Sequence, residues 1–525
     1  MSSTESSAPT PAKRGLIALL LVALFAAAFA LFTQDNRYPF YYHPDEYGKA
    51  KQVVDGTRSF NFNHPLLLLN VTKPLKKFWG KSADDTKPVK LQKATEAGRT
   101  ASAIFAALAV VALALAGYLL AGVAGGIGAA IVAMFHPMLY EHAHIFKEDS
   151  ALTMGLALTV MASAFFWKNP ACGRRAVLLG IAVALAVSGK YVGLTALAIA
   201  LPVVVFAPGE KRGRRIGLFA AGFAAAFALC NYQIFTHMGL WRESFNREVG
   251  YSLKGHRGLL AQDSVAYYKE WFGNTVSKTA IVFLAINALN LVTTARRRSL
   301  ADWLIFLFPF AFTAMLMASP RVSDRYFLPA AVLFNFNALV GVGLAAEWFT
   351  RAFGKFRCVG QIAFVALAIW IGWSGQIGKF HATIAQFRVD DRRDLEAWMT
   401  ANLPAGSNVA QDYTIHLPDD GDHKQEGMYR DFNFKVRGHE FVPEVGTLAE
   451  LRAQGIRYVV TSPKKSQRYT DGGMAPSEEV KDEFERRKAF YSALPKEAKL
   501  LRKWDIAEID TLHPGIELYD LGEKP

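Results

Sequence analysis

The segment GLIALLLVALFAAAFALF, residues 15–32, contains no charged or amide side chain. An α-helix of about 20 apolar residues crosses the roughly 30 Å hydrocarbon core of a membrane. Lys13 and Arg14 precede the segment, and its Ala-rich positions also resemble a signal-peptide cleavage site. Because the apolar run is longer than that of a typical signal peptide and many similar runs follow it, we expect a retained membrane helix.

Similar apolar runs recur as far as residue 376, and they predict an α-helical multi-pass membrane protein. The composition agrees, since 52% of the residues are hydrophobic, 20% are charged and the mean hydropathy is +0.15. That combination is unusual for a soluble domain. We predict about eleven transmembrane helices, at 15–33, 99–119, 121–138, 150–167, 175–188, 191–207, 216–235, 276–294, 300–318, 326–347 and 358–376.

Residues 379–525 are different, because they are charged and turn-rich and contain no run long enough to cross a membrane. SNVAQDY (407–413), IRYVVTS (456–462) and IELYDL (516–521) have the composition of strands, and LAELRAQ (448–454) that of a helix. The sequence therefore predicts a C-terminal soluble α/β domain.

The formal net charge of +14 raises nucleic acid as a partner, but the basic residues lie mostly between the predicted spans. Nucleic-acid binding requires them on one face, interleaved with aromatic side chains, so we expect no nucleic-acid partner. Cys172, Cys230 and Cys358 lie in or next to predicted spans. No disulfide framework is implied for the soluble domain.

The distribution of Lys and Arg predicts the orientation, because short basic loops stay on the cytoplasmic side. With residues 1–14 as a cytoplasmic tail, all basic clusters in short loops fall on the inner side, and the uncharged inner connection is the Gly-rich hairpin at 121–126. The inner basic residues are Lys168, Arg174, Arg175, Lys211, Arg212, Arg214, Arg215, Arg296, Arg297, Arg298, Arg351, Lys355 and Arg357.

The transmembrane domain then covers 15–378, and its outer loops are 34–98, 139–149 and 236–275. These loops share the outer side with the soluble domain. Within the first loop, HPLLLLNVTKPLKKFWG (64–80) is amphipathic with a Lys-rich end, which fits a segment in the outer membrane interface or an ordinary loop helix.

Two acidic motifs fall on this outer side. Asp45 and Glu46 follow a His-Pro pair just beyond the first span, and such a carboxylate at the membrane boundary can act as a general base. The alternative is a solvated turn. Glu148 and Asp149 precede the fourth span, where Asp149 alternatively caps a helix.

The second motif also contains candidate metal ligands. If the segment is helical, His144 and Glu148 share a face at i, i+4, and with Asp149 and His43 they offer donor atoms for a divalent metal ion. The spacing matches no named zinc motif.

Cations occur on the same side, at the ends of spans. Lys190 interrupts an apolar stretch at an outer turn, and Arg325 and Tyr326 stand where the tenth span begins. An arginine can bind two phosphate oxygens while a tyrosine donates one more hydrogen bond. Each of these residues alternatively serves as an interfacial anchor.

A base, a second acidic cluster and cations near lipid are the groups needed to transfer a sugar from a lipid-linked phosphate, because negative charge develops on the leaving phosphate. A secondary transporter is an alternative, although transporters place their charges near the bilayer midplane rather than at span ends. A polymerase or ligase that handles polyprenyl phosphates is a further alternative.

The motifs HPDE (43–46), KED (147–149), SGKYVGL (188–194) and RYFLP (325–329) occur in an order and on a common side that resemble polyprenyl-phosphate-dependent glycosyltransferases of the GT-C superfamily. The bacterial dolichyl-phosphate-mannose protein mannosyltransferase-like family and the aminoarabinose transferases of lipid A are the most similar. The segment 387–409 is also similar to the entry into their outer domain.

The resemblance implies an inverting glycosyltransferase in the bacterial inner membrane, with its active site and C-terminal domain on the periplasmic side. It implies Asp45 as catalytic base with Glu46 beside it, Glu148 and Asp149 near the donor or a metal, and Lys190 with Arg325 near the phosphate. The implied partners are a polyprenyl-phosphate-linked sugar, membrane lipids and a lipid, glycan or protein acceptor. No large inserted luminal domain of the eukaryotic mannosyltransferases is evident, which leaves a protein acceptor without support.

Overall fold

The computed structural model describes residues 11–36, 43–56, 61–80, 86–255, 259–261, 263–350, 357–417 and 432–522. Parts of several predicted regions lie outside these residues. They are 1–10 of the N-terminal tail, 37–42, 57–60 and 81–85 of the first outer loop, 256–258 and 262 of the third, Arg351 and Lys355 of the last inner cluster, and 418–431 and 523–525 of the soluble domain.

Helices dominate the part of the chain predicted to lie in the membrane. They are α1 (Pro11–Phe32), α2 (Asp45–Asp55), α3 (Leu67–Leu75), α4 (Lys87–Met134), α5 (Pro137–Ala143), α6 (Asp149–Trp167), α7 (Gly173–Gly189), α8 (Leu197–Phe206), α9 (Arg212–Cys230), α10 (Tyr232–Thr236), α11 (Met238–Lys254), α12 (Ser264–Thr275), α13 (Lys278–Thr293), α14 (Leu300–Met317), α15 (Asp324–Thr350) and α16 (Arg357–Gln386).

Among the described residues, six helices are long and apolar enough to cross a membrane. The pair α12 and α13, bent by 96°, adds a seventh if it forms one span. The chain is thus a multi-pass membrane protein, as predicted, while the count of eleven spans stays a prediction. The six are α1, α4, α6, α9, α14 and α15.

The long element α4 contains two of the predicted spans. Its backbone leaves the helical region at Ala121 and at Gly122, where φ is +71°. A Cβ placed on Gly117 would lie 2.4 Å from the carbonyl oxygen of Gly125, an approach that eight residues of straight helix, about 12 Å long, do not permit. The chain therefore folds back on itself at the Gly-rich segment, where the sequence predicts a hairpin.

Small residues allow the spans to pack closely. A Cβ on Gly155 of α6 would lie 2.2 Å from the Cα of Ala186 in α7, and one on Gly189 would lie 2.7 Å from the backbone of Ala151. Close backbone contact between small residues is a usual source of helix association in membranes. It fixes the ends of α6 and α7, which carry Asp149 and Lys190.

The C-terminal domain contains α17 (Asp391–Asn402), β2 (Asn408–Asp412), β3 (Lys435–His439), α18 (Leu448–Ala453), β4 (Tyr458–Thr461), α19 (Pro463–Thr470), β5 (Met474–Pro476), α20 (Lys481–Glu497), β6 (Lys499–Ile506) and β7 (Pro514–Asp520). Five strands form a sheet in the order β3-β2-β4-β7-β6. The first three are parallel, and β7 is antiparallel to both of its neighbours. The predicted α/β class of this domain is confirmed.

The soluble domain contacts the membrane part of the chain in two places. Strand β1 (Leu259–Ala261), in the third outer loop, pairs antiparallel with β5. On another side, His513 bonds the Asp391 carboxylate at 2.8 Å and the carbonyl oxygen of Gln386, at the end of α16, at 2.9 Å. The soluble domain is therefore joined to the membrane part of the chain at these two places.

Candidate active site

The two acids of the first motif point in different directions. Glu46 is fully buried and forms a double ion pair with Arg99 of α4, with Nε–Oε1 at 3.0 Å and Nη2–Oε2 at 2.8 Å. Its oxygens also accept hydrogen bonds from the backbone N–H groups of Phe146 at 2.8 Å and His43 at 3.4 Å. Glu46 thus connects its own segment to α4 and to the segment before α6, and its catalytic role stays a prediction.

The side chain of Asp45, in contrast, is half exposed. Its carboxylate contacts the ammonium of Lys147 and lies 3.7 Å from Nδ1 of His43. Burial alone would raise the pKa of Asp45, but Lys147, His43 and Arg325 lower it well below its usual range. Asp45 is therefore an ionised carboxylate at neutral pH.

His43 connects the first motif to the tenth predicted span. Its Nε2 accepts a hydrogen bond from Nη1 of Arg325 at 2.8 Å and lies 3.2 Å from Nζ of Lys147. Burial and the charge of Lys147 lower the pKa of His43 well below its usual value. The neutral ring therefore holds Arg325 against the first motif.

The second motif is paired with cations as well. Glu148 contacts Lys49 of α2 through Oε1, and its Oε2 lies 3.9 Å from Nε2 of His64. Lys49 and His64 lower the pKa of Glu148 against the effect of burial, while burial lowers that of His64 to about 3. Glu148 is therefore held as a carboxylate.

The predicted cations meet this motif from the other side. Nζ of Lys190 lies 2.7 Å from Oδ1 of Asp149 and 4.7 Å from the centre of the Tyr326 ring. The guanidinium of Arg325 lies 5.4 Å from the same ring. Nε of Arg325 and Oδ2 of Asp149 are buried atoms without a hydrogen-bond partner in the described residues, so both have unused bonding capacity.

The structure thus brings together seven of the residues singled out in the sequence, while Glu46 lies behind them in its ion pair and His144 lies apart. They lie at or next to the start of α2, the start of α6, the end of α7 and the start of α15. The seven are His43, Asp45, Glu148, Asp149, Lys190, Arg325 and Tyr326.

The predicted metal ligands do not form a metal site together among the described residues. Both ring nitrogens of His144 face carbonyl oxygens, Nδ1 that of Tyr140 at 2.8 Å and Nε2 that of Gln34 at 2.6 Å. His43 receives a bond from Arg325, and the two carboxylates are bound by lysines. No group of three or more His, Cys, Asp or Glu side chains in the described part of the chain has the geometry of a metal site.

Several residues at the site were not predicted as site residues. Lys147 lies inside the second motif and contacts Asp45. Lys49 in α2 and Arg99 in α4 form ion pairs with acids that are distant in sequence, Glu148 and Glu46. Arg99 could have been found from the sequence, because it is a charged residue at the start of an apolar run and such a residue needs a buried partner. Lys49 lies three positions after Glu46, so both fall on the buried side of α2.

Known structures share this fold. ArnT from Cupriavidus metallidurans in the apo state matches with a TM-score of 0.53 at 15% identity. The structure of the same protein bound to undecaprenyl phosphate matches with a TM-score of 0.52 at 14% identity. Both matches cover 96% of this chain and 98% of the ArnT chain. Archaeal oligosaccharyltransferase AglB from Archaeoglobus fulgidus, in complex with an inhibitory peptide and a dolichol-phosphate, matches with a TM-score of 0.50 at 10% identity, over 93% of this chain and 73% of that one.

Comparison of the sequence itself gives a different result. No protein-family model matches the sequence, and no curated protein matches it either. At identities of 10% to 15% the structural likeness establishes the fold. The resemblance seen in the motifs is therefore confirmed at the level of the fold, which this chain shares with ArnT and AglB, and the activity has to be argued from the site.

Proposed function

We propose that the protein is an inverting glycosyltransferase of the bacterial cytoplasmic membrane. It moves a sugar from a polyprenyl-phosphate-linked donor to a lipid, glycan or protein acceptor on the outer face. The observation that carries the proposal is the junction of four distant motifs through His43, Arg325, Lys190 and Asp149. Two proteins that share the fold were solved with undecaprenyl phosphate or a dolichol-phosphate, which supports a lipid phosphate as the donor.

The donor phosphate is assigned to Lys190, Arg325 and Tyr326. Lys190 supplies an ammonium, Arg325 has an unused buried Nε–H, and the Tyr326 ring lies beside both cations. A phosphate bound there replaces the Asp149 contact of Lys190 or shares it. Positive charge at this position stabilises the phosphate as the anomeric bond breaks.

Asp45 is assigned to the acceptor. Its half-exposed carboxylate stays ionised through Lys147, so it can accept a hydrogen bond from the attacking group and orient it toward the anomeric carbon. The sequence analysis expects Asp45 to be the base as well. A carboxylate with so low a pKa is a weak base, and its main contribution is orientation.

No step of this mechanism uses a metal ion, because each candidate ligand already contacts a cation or a backbone carbonyl. Lys49, Lys147 and Lys190 supply positive charge near the acidic motifs instead. Chelator treatment of the purified protein should therefore leave transfer unchanged. Loss of transfer with the chelator, restored by a divalent ion, would contradict this assignment.

The location also follows from the charge pattern. If the basic loops lie on the inner side as predicted, Asp45, Glu148, Lys190 and Arg325 lie at outer ends of spans, which supports the proposed location. Charges at span ends favour catalysis on a membrane-embedded substrate over transport, which uses charges near the midplane. Cysteine substitutions at Lys51 and Glu485, labelled from outside the membrane, test the outer placement.

The test compares surface glycolipids and glycoproteins by mass spectrometry in cells that carry wild type, Asp45→Asn or the exposed control Glu243→Gln. We expect one glycosylated species to disappear in Asp45→Asn while its unmodified acceptor accumulates. The identity of that species gives the sugar and the acceptor. A change in glycan chain length alone would favour a polymerase, and identical profiles in all three strains would contradict the proposal.

A further inference from the structure

An ion pair outside the two acidic motifs joins the third outer loop to the segment before α15. Nη1 of Arg321 lies 3.1 Å from Oε2 of Glu248 in α11. The two side chains are 16% and 17% exposed, so the pair is largely buried but not closed off from solvent. Neither residue belongs to the phosphate site or to the acceptor site described above.

Arg321 lies at the donor site through the ring of Tyr326. Three cations lie near this ring: Nζ of Lys190 is 4.7 Å from its centre, and the guanidinium carbons of Arg321 and Arg325 are each 5.4 Å from it. No two of these charged groups are therefore further apart than twice the longer distance. That separation is short enough for a sugar on a phosphate held by Lys190 and Arg325 to reach Arg321 through its far hydroxyl groups.

Glu248 approaches the same region from α11. Phe245, one helical turn before Glu248, packs against Tyr191 with ring centroids 5.1 Å apart and against Trp241 with centroids 5.4 Å apart. Residues three positions apart lie on the same side of a helix. Tyr191 directly follows Lys190 in the chain, so the side of α11 that carries Glu248 lies against the turn that carries a donor cation.

The segment that carries Arg321 is held by the rest of the third outer loop and by α12. The backbone N–H of Ala261 in β1 donates to the carbonyl oxygen of Pro320 at 3.1 Å. The hydroxyl of Ser264 donates to the carbonyl oxygen of Ser319 at 2.7 Å. Because β1 also pairs with β5, the soluble domain helps to hold Arg321 in one position, as a binding residue requires.

The charge of Arg321 is matched, whereas that of Arg325 is not. Arg321 pairs with the Glu248 carboxylate, while Arg325 contacts neutral His43 and has no ion-pair partner among the described residues. An anion at Arg321 would have to displace the glutamate. A hydroxyl group can instead accept a hydrogen bond from the guanidinium and donate one to the carboxylate. The pair therefore suits uncharged hydroxyl groups better than a second phosphate.

We propose that Arg321 and Glu248 bind adjacent hydroxyl groups of the donor sugar and select which sugar is used, an inference that rests on the proposed sugar transfer. The phosphate lies between Lys190 and Arg325, and the sugar extends from it toward the pair. A site built to hydrogen-bond a hydroxyl group rejects analogues that lack it, because the polar groups of the site then lose bound water and gain no partner. The third outer loop thus sets the sugar specificity.

The experiment compares two affinities of the full-length protein in detergent. They are the KM for the sugar-bearing donor identified from the cell-surface comparison and the Kd for undecaprenyl phosphate, which has a phosphate and no sugar. Arg321→Gln and Glu248→Gln should each raise the donor KM about 10- to 100-fold through the loss of charge-assisted bonds. Neither should weaken the binding of undecaprenyl phosphate, whereas Arg325→Ala should weaken both. The control Glu243→Gln, on the same helix and 72% exposed, should match wild type.

An exchange of the two charges separates sugar binding from loop packing. Glu248→Arg together with Arg321→Glu restores the attraction between α11 and the segment before α15, but it reverses the positions of the hydrogen-bond donors and acceptors. We expect a thermal midpoint near that of wild type and a donor KM that is still raised. A donor KM restored to the wild-type value would mean that the pair only packs the loop, and it would overturn the proposal.

The remaining outcomes distinguish the two proposals. An unchanged donor KM in both single variants, or an equal loss of affinity for undecaprenyl phosphate, would overturn the role of the pair and leave the proposed sugar transfer standing. No transfer by wild type from any sugar-bearing lipid would overturn both. If a single variant does not fold, as judged by its thermal midpoint, Glu248→Asp and Arg321→Lys decide. Their displaced charges must raise the donor KM, and a wild-type KM in both would overturn the proposal.

Discussion

The buried pair of Glu46 and Arg99 gives the sharpest structural prediction. Both side chains are 0% exposed, so water does not screen the charges. Glu46→Gln removes the carboxylate charge that the guanidinium contacts at 2.8 and 3.0 Å. Removal of one partner from a buried pair costs about 3–5 kcal/mol, because an uncompensated charge remains inside the protein. We expect Glu46→Gln to destabilise the fold by that amount.

Thermal unfolding in detergent, followed by intrinsic tryptophan fluorescence, tests this value. Glu46→Gln and Arg99→Met should each lower the midpoint strongly, and the double variant should be more stable than either single variant because both charges of the pair are then removed together. The matched control is Glu243→Gln, whose partner Arg247 lies 3.8 Å away and whose side chain is 72% exposed. A wild-type midpoint in Glu46→Gln, or additive losses in the double variant, would refute the reasoning.

Three further predictions concern the phosphate site, its pH dependence and the packing of the spans. Arg325→Ala should raise the KM for the donor about 10- to 100-fold through the loss of charge-assisted bonds, and an equal effect on the acceptor KM would contradict a phosphate contact. Burial and Arg325 lower the pKa of Lys147 to about 8, so activity should fall above that pH as the ammonium loses its proton. Lys147→Arg should shift this alkaline limb of the pH–rate profile to higher pH. An unchanged limb in Lys147→Arg would exclude Lys147 as its source. Gly155→Val should lower the yield of folded protein, because a Cβ at this position would lie 2.2 Å from the Cα of Ala186. The control Gly217→Ala should not lower it, because a Cβ there has no atom within 4 Å. Equal yields of the two variants would contradict the described packing.

Hydropathy was sufficient to place most of the architecture. The predicted spans at 150–167, 300–318 and 326–347 correspond to α6, α14 and α15, because long apolar runs have few alternatives to a membrane helix. The Gly-rich segment after Leu120 predicted the reversal within α4. The span count could not be fixed in this way, since α12 and α13 meet at 96° and α8 is short.

The soluble domain was predicted less completely. Strands β2, β4 and β7 are hydrophobic enough to be recognised, and they occupy the middle of the sheet. The edge strand β6, KLLRKWDI, was not predicted, because its charged residues alternate with apolar ones only in part. The ladder between β1 and β5 joins segments more than 200 residues apart, and no local pattern predicts it.

Within the site, residue types were predictable and their pairing was not. Asp45 and Glu46 are adjacent and chemically alike, yet the side chain of Asp45 is half exposed and that of Glu46 is buried against Arg99. The difference comes from the rotation of α2, which turns Glu46 and Lys49 toward the core.

The release of polyprenyl phosphate by the purified protein is the most direct test of donor use on the outer face. A polyprenyl-phosphate-linked sugar and an extract of membrane acceptors are incubated with wild type or Asp45→Asn in vesicles, and the lipid is analysed by mass spectrometry. We predict loss of the sugar-bearing lipid and equimolar appearance of polyprenyl phosphate with wild type only. Intact donor in the presence of wild type, or equal release by both proteins, would contradict the proposed function.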